Sequence, residues 1–160
     1  MKLFGYISGA NVGENEIKMT VPVSMKMRGN KNSFEKEMCF YLDNKHQNNP
    51  PQPTNRDVYI VNRPAMNVYT RFVNLHLSHV NHYFNTSNYI RFFFNKKNDC
   101  FSRRQGGYMN NDEWFDEAKA LDDMLTKKGL QVNNEYFYSN GYNSPMQFWN
   151  RRNEVWKVKL

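Results

Sequence analysis

Every odd position from Ile17 to Met27 is apolar: Ile17, Met19, Val21, Val23, Met25 and Met27. A period of two belongs to a β-strand, because successive side chains leave opposite faces of the pleat. Lys18, Thr20, Pro22, Ser24 and Lys26 share the other side, so the pattern predicts a long strand with one wet face. Pro22 has no N–H to give to a ladder, which predicts an edge position or a bulge there. Phe34 to Leu42 predicts a second, less regular strand, and HQNNPPQPTN from His46 to Asn55 predicts a loop. Val58 to Asn62 and Met66 to Phe72 read as two short strands around the turn Arg63-Pro64-Ala65.

The period lengthens to that of a helix between Asn110 and Gly129. Asn110 is placed to cap it with Glu113 as the third helical residue, and Trp114, Ala118, Leu121 and Leu125 recur on one side. Lys127 and Lys128 precede Gly129 at the exit. Val132 to Ser139 returns to a strand, with Tyr136 and Tyr138 on one side and Phe137 on the other. Asn153 to Leu160 closes the pattern, with Val155 and Val158 flanking Trp156. A helix packed on an antiparallel sheet follows, which is an α+β fold.

At 160 residues the chain has room for a single domain, 1–160, with one core. Aromatic residues make up 16% and charged residues 23%, and no stretch approaches the ~20 apolar residues that span a bilayer. The start, MKLFGYISG, lacks the apolar core and cleavage site of a secretory signal. Cys39 and Cys100 form neither a disulfide framework nor a CxxC motif, so a reducing, cytoplasmic setting is expected. The net charge of +7 raises nucleic acid as a partner, but Arg91, Lys96, Lys97, Arg103 and Arg104 concentrate it in one interval with Asp99. No nucleic-acid-binding motif accompanies them, so no specific nucleic-acid partner is expected.

Two segments carry more than secondary structure. GYNSPMQFWNRRNEVWKVKL (Gly141 to Leu160) joins a turn, an aromatic-rich loop and an alternating strand, and YISGANVGENEIKMTVPVS (Tyr6 to Ser24) leads into the first strand. With the PPQP loop before Val58-Tyr59-Ile60, and GGYMN before the helix, these blocks in this order resemble the SOUL haem-binding protein family. The resemblance implies a distorted antiparallel β-barrel with flanking helices, related to the gyrase-inhibitor-like small-molecule-binding domains and built from two pseudo-repeated halves. Gly9-Ala10-Asn11 followed by Asn15-Glu16-Ile17 is echoed by Gly141-Tyr142-Asn143 followed by Asn153-Glu154-Val155, as such a duplication would leave. By the same resemblance the chain begins at the C-terminal end of the family's first helix, without the strands before it. Exposed apolar surface and an unpaired strand edge are then expected. Residues 73–105, with five Phe and six Asn, read as an insertion without family counterpart, either a retained intron or a mobile surface loop.

A porphyrin needs a flat apolar slot, aromatic walls and cations near the mouth for its propionates. The resemblance places that surface between the first helix and the loop before the last strand. It implies Lys2, Leu3 and Tyr6 on one side and Tyr142, Pro145, Met146, Gln147 and Phe148 on the other. Arg151 or Arg152 supplies the propionate cation, since Gln147 stands where a basic residue is expected. Leu3, Tyr6 and Phe148 would serve equally as core filler. His76, His79 and His82 share a three-residue spacing, but no Cys or carboxylate completes a metal pattern, so no metal site is assigned. His46, beside the proline loop, is read as solvated.

Asp112, Glu113, Asp116 and Glu117 at the helix start complement the positive end of its dipole and need no catalytic role. There is no nucleophile elbow, phosphate-binding glycine loop or Cys–His pair. The expectation is a non-enzymatic cytoplasmic protein that buffers or carries haem or porphyrin. The alternative the resemblance offers is a protein-interaction module in cell-death or mitochondrial permeability control, docking through the amphipathic helix 113–125. In the folded domain the apolar stripe of that helix should already face the sheet.

Overall fold

The chain reverses direction at Lys31 and Asn32. Gly29, just before them, takes φ +109°, and a Cβ there would lie 2.4 Å from the Ser33 carbonyl oxygen, so only glycine fits. Asn30 Oδ1 accepts from the backbone N–H of Asn32 (3.0 Å) and Ser33 (3.1 Å), which fixes the turn. The hairpin so made pairs β1 (Val23–Asn30) with β2 (Ser33–Cys39). The structure, a computed structural model, describes residues 2–73, 84–86, 89–91, 108–149 and 151–160.

The remaining elements are α1 (Lys2–Ile7), α2 (Asn44–Gln47), β3 (Val61–Arg63), β4 (Met66–Val73), β5 (Phe84–Thr86), β6 (Tyr89–Arg91), α3 (Asn111–Lys127), β7 (Tyr136–Gly141) and β8 (Asn153–Val158). Six strands form one open antiparallel sheet in the order β2-β1-β7-β8-β4-β5, while β3 pairs with β6 in a second, two-stranded sheet. This is the α+β antiparallel architecture the alternation predicts. The methionine–valine ribbon and the closing strand lie in one sheet, one strand apart, with β7 between β1 and β8.

One face of the sheet carries the helix. Asn110 caps α3 and forms a capping box with Glu113, and Trp114, Ala118, Leu121 and Leu125 are buried with Met27, Tyr69, Phe137 and Val155 of four different strands. The stripe is thus consumed by the sheet, as its spacing predicts. Phe137 and Val155 face α3, whereas Tyr138 and Trp156 pack with Val68 in a separate cluster. The tyrosine and phenylalanine positions of β7 therefore divide as the period of two requires.

The long strand expected from Ile17 begins only at Val23. Without an N–H, Pro22 stands just outside the ladder, and the residues before it follow another course. Ile17 is buried in the α1 cluster, while Met19 and Val21 are exposed. The second face of β1 is wet only toward its far end, where Arg28 is exposed. Ser24 is buried, and the Lys26 ammonium lies 3.9 Å from the centre of the Tyr136 ring. The strand predicted from Phe34 ends at Cys39, after which Phe40 and Leu42 enter the α1 cluster. Of the two segments around Arg63-Pro64-Ala65, the second is β4, while the first is a strand only from Val61, with Val58 buried in the α1 cluster, and they belong to different sheets, because β3 pairs with β6 and β4 with β8. A short helical turn, α2, capped by Asp43, runs into the start of the loop predicted from His46. The ring of His46 is largely buried, with Nδ1 2.5 Å from Asp43 Oδ1, so the expectation of a solvated imidazole is corrected.

A second core gathers α1 against the chain from Phe40 to Val58. Leu3, Tyr6, Ile7, Ile17, Phe40, Leu42 and Val58 are its buried members. Lys2 pairs with Asp57 at the surface, and Tyr6 donates its hydroxyl 2.7 Å to the Pro51 carbonyl. Burial pushes the Tyr6 phenol from 10.0 up to about 12. An unfolded tyrosine ionises near pH ~10, so above that the unfolded chain sheds a proton the folded chain keeps. This part of the stability is intact below pH 10 and is lost as the pH rises to about 12. Tyr6→Phe should therefore remove up to roughly 3 kcal/mol of alkaline destabilisation, at 1.36 kcal/mol per pKa unit. Urea midpoints measured across that range check it, and parallel declines in the two proteins would contradict it.

Candidate functional site

The loop between β7 and β8 leaves a buried stem and ends in exposed apolar side chains. Tyr142 N–H donates to the Arg152 carbonyl at 3.2 Å, and Arg152 N–H donates to Asn143 Oδ1 at 2.5 Å, so the two ends are stitched together. Asn143 Nδ2 also reaches Gln147 Oε1 at 2.9 Å, and Gln147 Nε2 donates to the Trp149 carbonyl at 3.0 Å. At the tip Met146 is 79% exposed, Trp149 73% and Phe148 50%. Apolar side chains held in water by a hydrogen-bonded frame mark a surface made for contact.

Arg151 is the organiser of that frame. Its Nη1 donates to the carbonyls of Ser144 (2.8 Å) and Gln147 (2.7 Å), and its Nη2 to that of Asn143 (3.4 Å). The guanidinium also lies 4.3 Å from the centre of the Tyr108 ring, and Tyr108 meets Phe148 edge-on at 6.2 Å. Arg152 is engaged differently, giving two N–H groups to Glu154 Oε1 at 2.9 and 2.6 Å while half its side chain stays exposed. Of the two candidate propionate cations, Arg151 already spends donors on carbonyls and Arg152 on a carboxylate.

The other half of the predicted site sits at the same end of the sheet. Val23 packs against the α1 cluster, and its cross-strand partner is Gly141, one residue before Tyr142. The register thus sets Val23, which packs on the α1 cluster, opposite the strand end from which the β7–β8 loop leaves. Leu3 and Tyr6 are turned into the core, Lys2 is paired with Asp57, and Phe4 is the exposed aromatic of α1. Pro145 and Met146 are exposed, Gln147 and Tyr142 partly so.

Reading the sequence missed Phe4, Tyr108 and Trp149 as surface aromatics. The adjacency Phe148-Trp149 in a segment of turn residues was the available signal for the last of these. The asparagines of the internal echo have matching jobs. Asn11 Oδ1 accepts from Asn15 N–H at 3.0 Å as Asn143 Oδ1 accepts from Arg152 N–H. Among the described residues no group of three or more His, Cys, Asp and Glu side chains is arranged to hold a metal ion. His76, His79 and His82 lie outside the described residues. No described helix is long and apolar enough to cross a membrane.

Comparison with known proteins gives this loop a family context. The family model described as SOUL heme-binding protein matches residues 1–74 and 80–158. The match resumes inside the interval 73–105, where β5 and β6 form three-residue strands. Heme-binding protein 2 of Mus musculus is 28% identical over 161 residues, which cover 99% of this chain and 63% of that protein. Heme-binding protein 2 of Homo sapiens is 29% identical with the same coverage, and heme-binding protein 1 of Mus musculus is 27% identical, with 68% of its length covered. The chain spans 63% of the length of the heme-binding protein 2 relatives it matches.

Proposed function

The chain belongs to the SOUL heme-binding protein family, and on that footing we propose that it is a non-enzymatic binder of haem or porphyrin that buffers or carries them in the cytoplasm. The observation carrying this reading is the stiffened β7–β8 loop, which holds Met146, Phe148 and Trp149 out in water at the end of the two central strands. Flat apolar ligands gain most from aromatic faces already fixed in place, because little ordering is left to offset burial. Tyr142, Pro145, Met146, Gln147 and Phe148 supply the contact surface, joined by Trp149. Lys2 and Arg151 frame it with positive charge, and Leu3 and Tyr6 set the α1 wall beneath.

Titration with haemin and with protoporphyrin IX tests the reading. A saturable shift of the Soret band, with quenching of tryptophan emission, is the expected result. Energy transfer to a bound tetrapyrrole reaches the buried Trp114 and Trp156 as well as the exposed Trp149, so Trp149→Phe should lower the quenching without abolishing it. Phe148→Ala combined with Trp149→Ala should weaken binding by about 2–3 kcal/mol, roughly thirty- to a hundred-and-fiftyfold. The absence of any saturable change at tens of micromolar ligand would overturn the assignment.

A further inference from the structure

Glu154 is buried at the foot of the β7–β8 loop, and its two oxygens receive four donors. Oε1 takes Nε and Nη2 of Arg152 at 2.9 and 2.6 Å, while Oε2 takes the Tyr142 hydroxyl at 2.7 Å and the Trp156 indole N–H at 2.8 Å. Tyr142 and Arg152 are the two ends of the loop, and the Arg152 guanidinium stacks 4.3 Å from the Tyr142 ring. One carboxylate therefore ties both loop ends to an indole fixed in the sheet. From this convergence we infer that Glu154 is a positioning residue for ligand binding, presetting the β7–β8 loop without touching the ligand. The inference rests on the tetrapyrrole reading of that loop and adds to it the residue that sets its geometry.

A carboxylate suits the position because every partner is a donor. Trp156 Nε1 can only donate, and so can Arg152. An amide in the same place would keep its oxygen toward Trp156 and Tyr142 and turn its NH2 group onto the Arg152 guanidinium, donor against donor. Glu154→Gln should thus release Arg152 while leaving the sheet side of the clamp in place. Tyr142→Phe removes one hydroxyl and keeps the ring, so it loosens the other end without deleting an aromatic contact.

Protoporphyrin IX affinity, thermal midpoint and 19F spectra of 5-fluorotryptophan-labelled protein form the test, with the Trp149 resonance assigned by its loss in Trp149→Phe. Glu154→Gln should raise Kd roughly tenfold and Tyr142→Phe several-fold, on the scale of charge-assisted and neutral hydrogen bonds. The double variant should fall short of the product, since both act on one clamp. The Trp149 line should sharpen in each as the loop gains freedom. Kd values equal to that of the wild type, with only a lowered midpoint, would overturn the positioning role. If Glu154→Gln does not fold, Tyr142→Phe decides through the Trp149 line, and a raised Kd with an unchanged line would overturn the positioning role, since Tyr142 itself belongs to the contact surface. A wild-type protein that binds no porphyrin would instead overturn the function proposed for the loop, a distinct failure.

Discussion

Leu121→Asp is expected to abolish folding. Leu121 is fully buried in the cluster that joins α3 to Met27, Phe137 and Val155. The substitution forfeits about 2–3 kcal/mol of apolar burial and places a carboxylate among groups that cannot solvate it, which costs several kcal/mol more. That sum reaches the whole stability margin of an ordinary domain, ~5–15 kcal/mol. Near-ultraviolet circular dichroism and urea unfolding check it, with no cooperative transition the expected outcome. Leu121→Ala should cost roughly 2–5 kcal/mol with folding retained, and the exposed Lys119→Ala within about 0.5 kcal/mol. A wild-type midpoint in Leu121→Asp would mean that α3 does not pack as described. The same burial bears on the helix as a partner-binding element, for its apolar stripe is occupied by the domain's own sheet.

The second large effect is expected at the ion pair between Lys157 and Asp122, and it should be lopsided. Lys157 Nζ lies 2.7 Å from Asp122 Oδ2, with the lysine side chain 4% exposed and the aspartate 31%. Asp122→Asn strands an ammonium against the sheet, 6.0 Å from the centre of the Phe137 ring. Breaking a buried pair from that side should cost about 3 kcal/mol, the lower end for such pairs because Asp122 is partly wet. Lys157→Met keeps the packing of the aliphatic stem and leaves a carboxylate that is 31% exposed but whose Oδ1 is buried without a hydrogen-bond partner, so a smaller loss of about 1–2 kcal/mol is expected. Denaturant midpoints of both single variants measure the difference. Equal losses would show that the pair is solvated as a unit rather than buried from one end.

What the sequence discloses follows from how local the determining forces are. The α3 signals lie within a few residues of one another, with Asn110 and Glu113 at the start, a four-residue stripe, and Gly129 at the exit, and each is where the pattern puts it. The split of Phe137 from Tyr138, and of Val155 from Trp156, follows from strand periodicity alone. The start of β1 was not legible, because alternation is silent on whether a partner strand is alongside, and Ile17 is drawn to α1 instead. Arg63 and Met66 lie three positions apart yet enter different sheets, a choice made by β6 and β8 far along the chain.

The candidate site divides in the same way. The aromatic loop was legible as a composition, whereas the duties of its arginines were not. Arg151 faces three backbone carbonyls that come together only when the loop folds, and Glu154 reads in sequence as an ordinary strand opener.

The place of β8 between β7 and β4 has a consequence for biosynthesis. Both neighbours leave the ribosome before it does, and β4 precedes it by some eighty residues. Until β8 emerges, the β1–β2–β7 portion and β4 have no strand to join them, and the nascent chain presents two open rims at once. Such long-range closure is slow, and chaperone cover during translation should matter more for this protein than for a helical bundle of equal size.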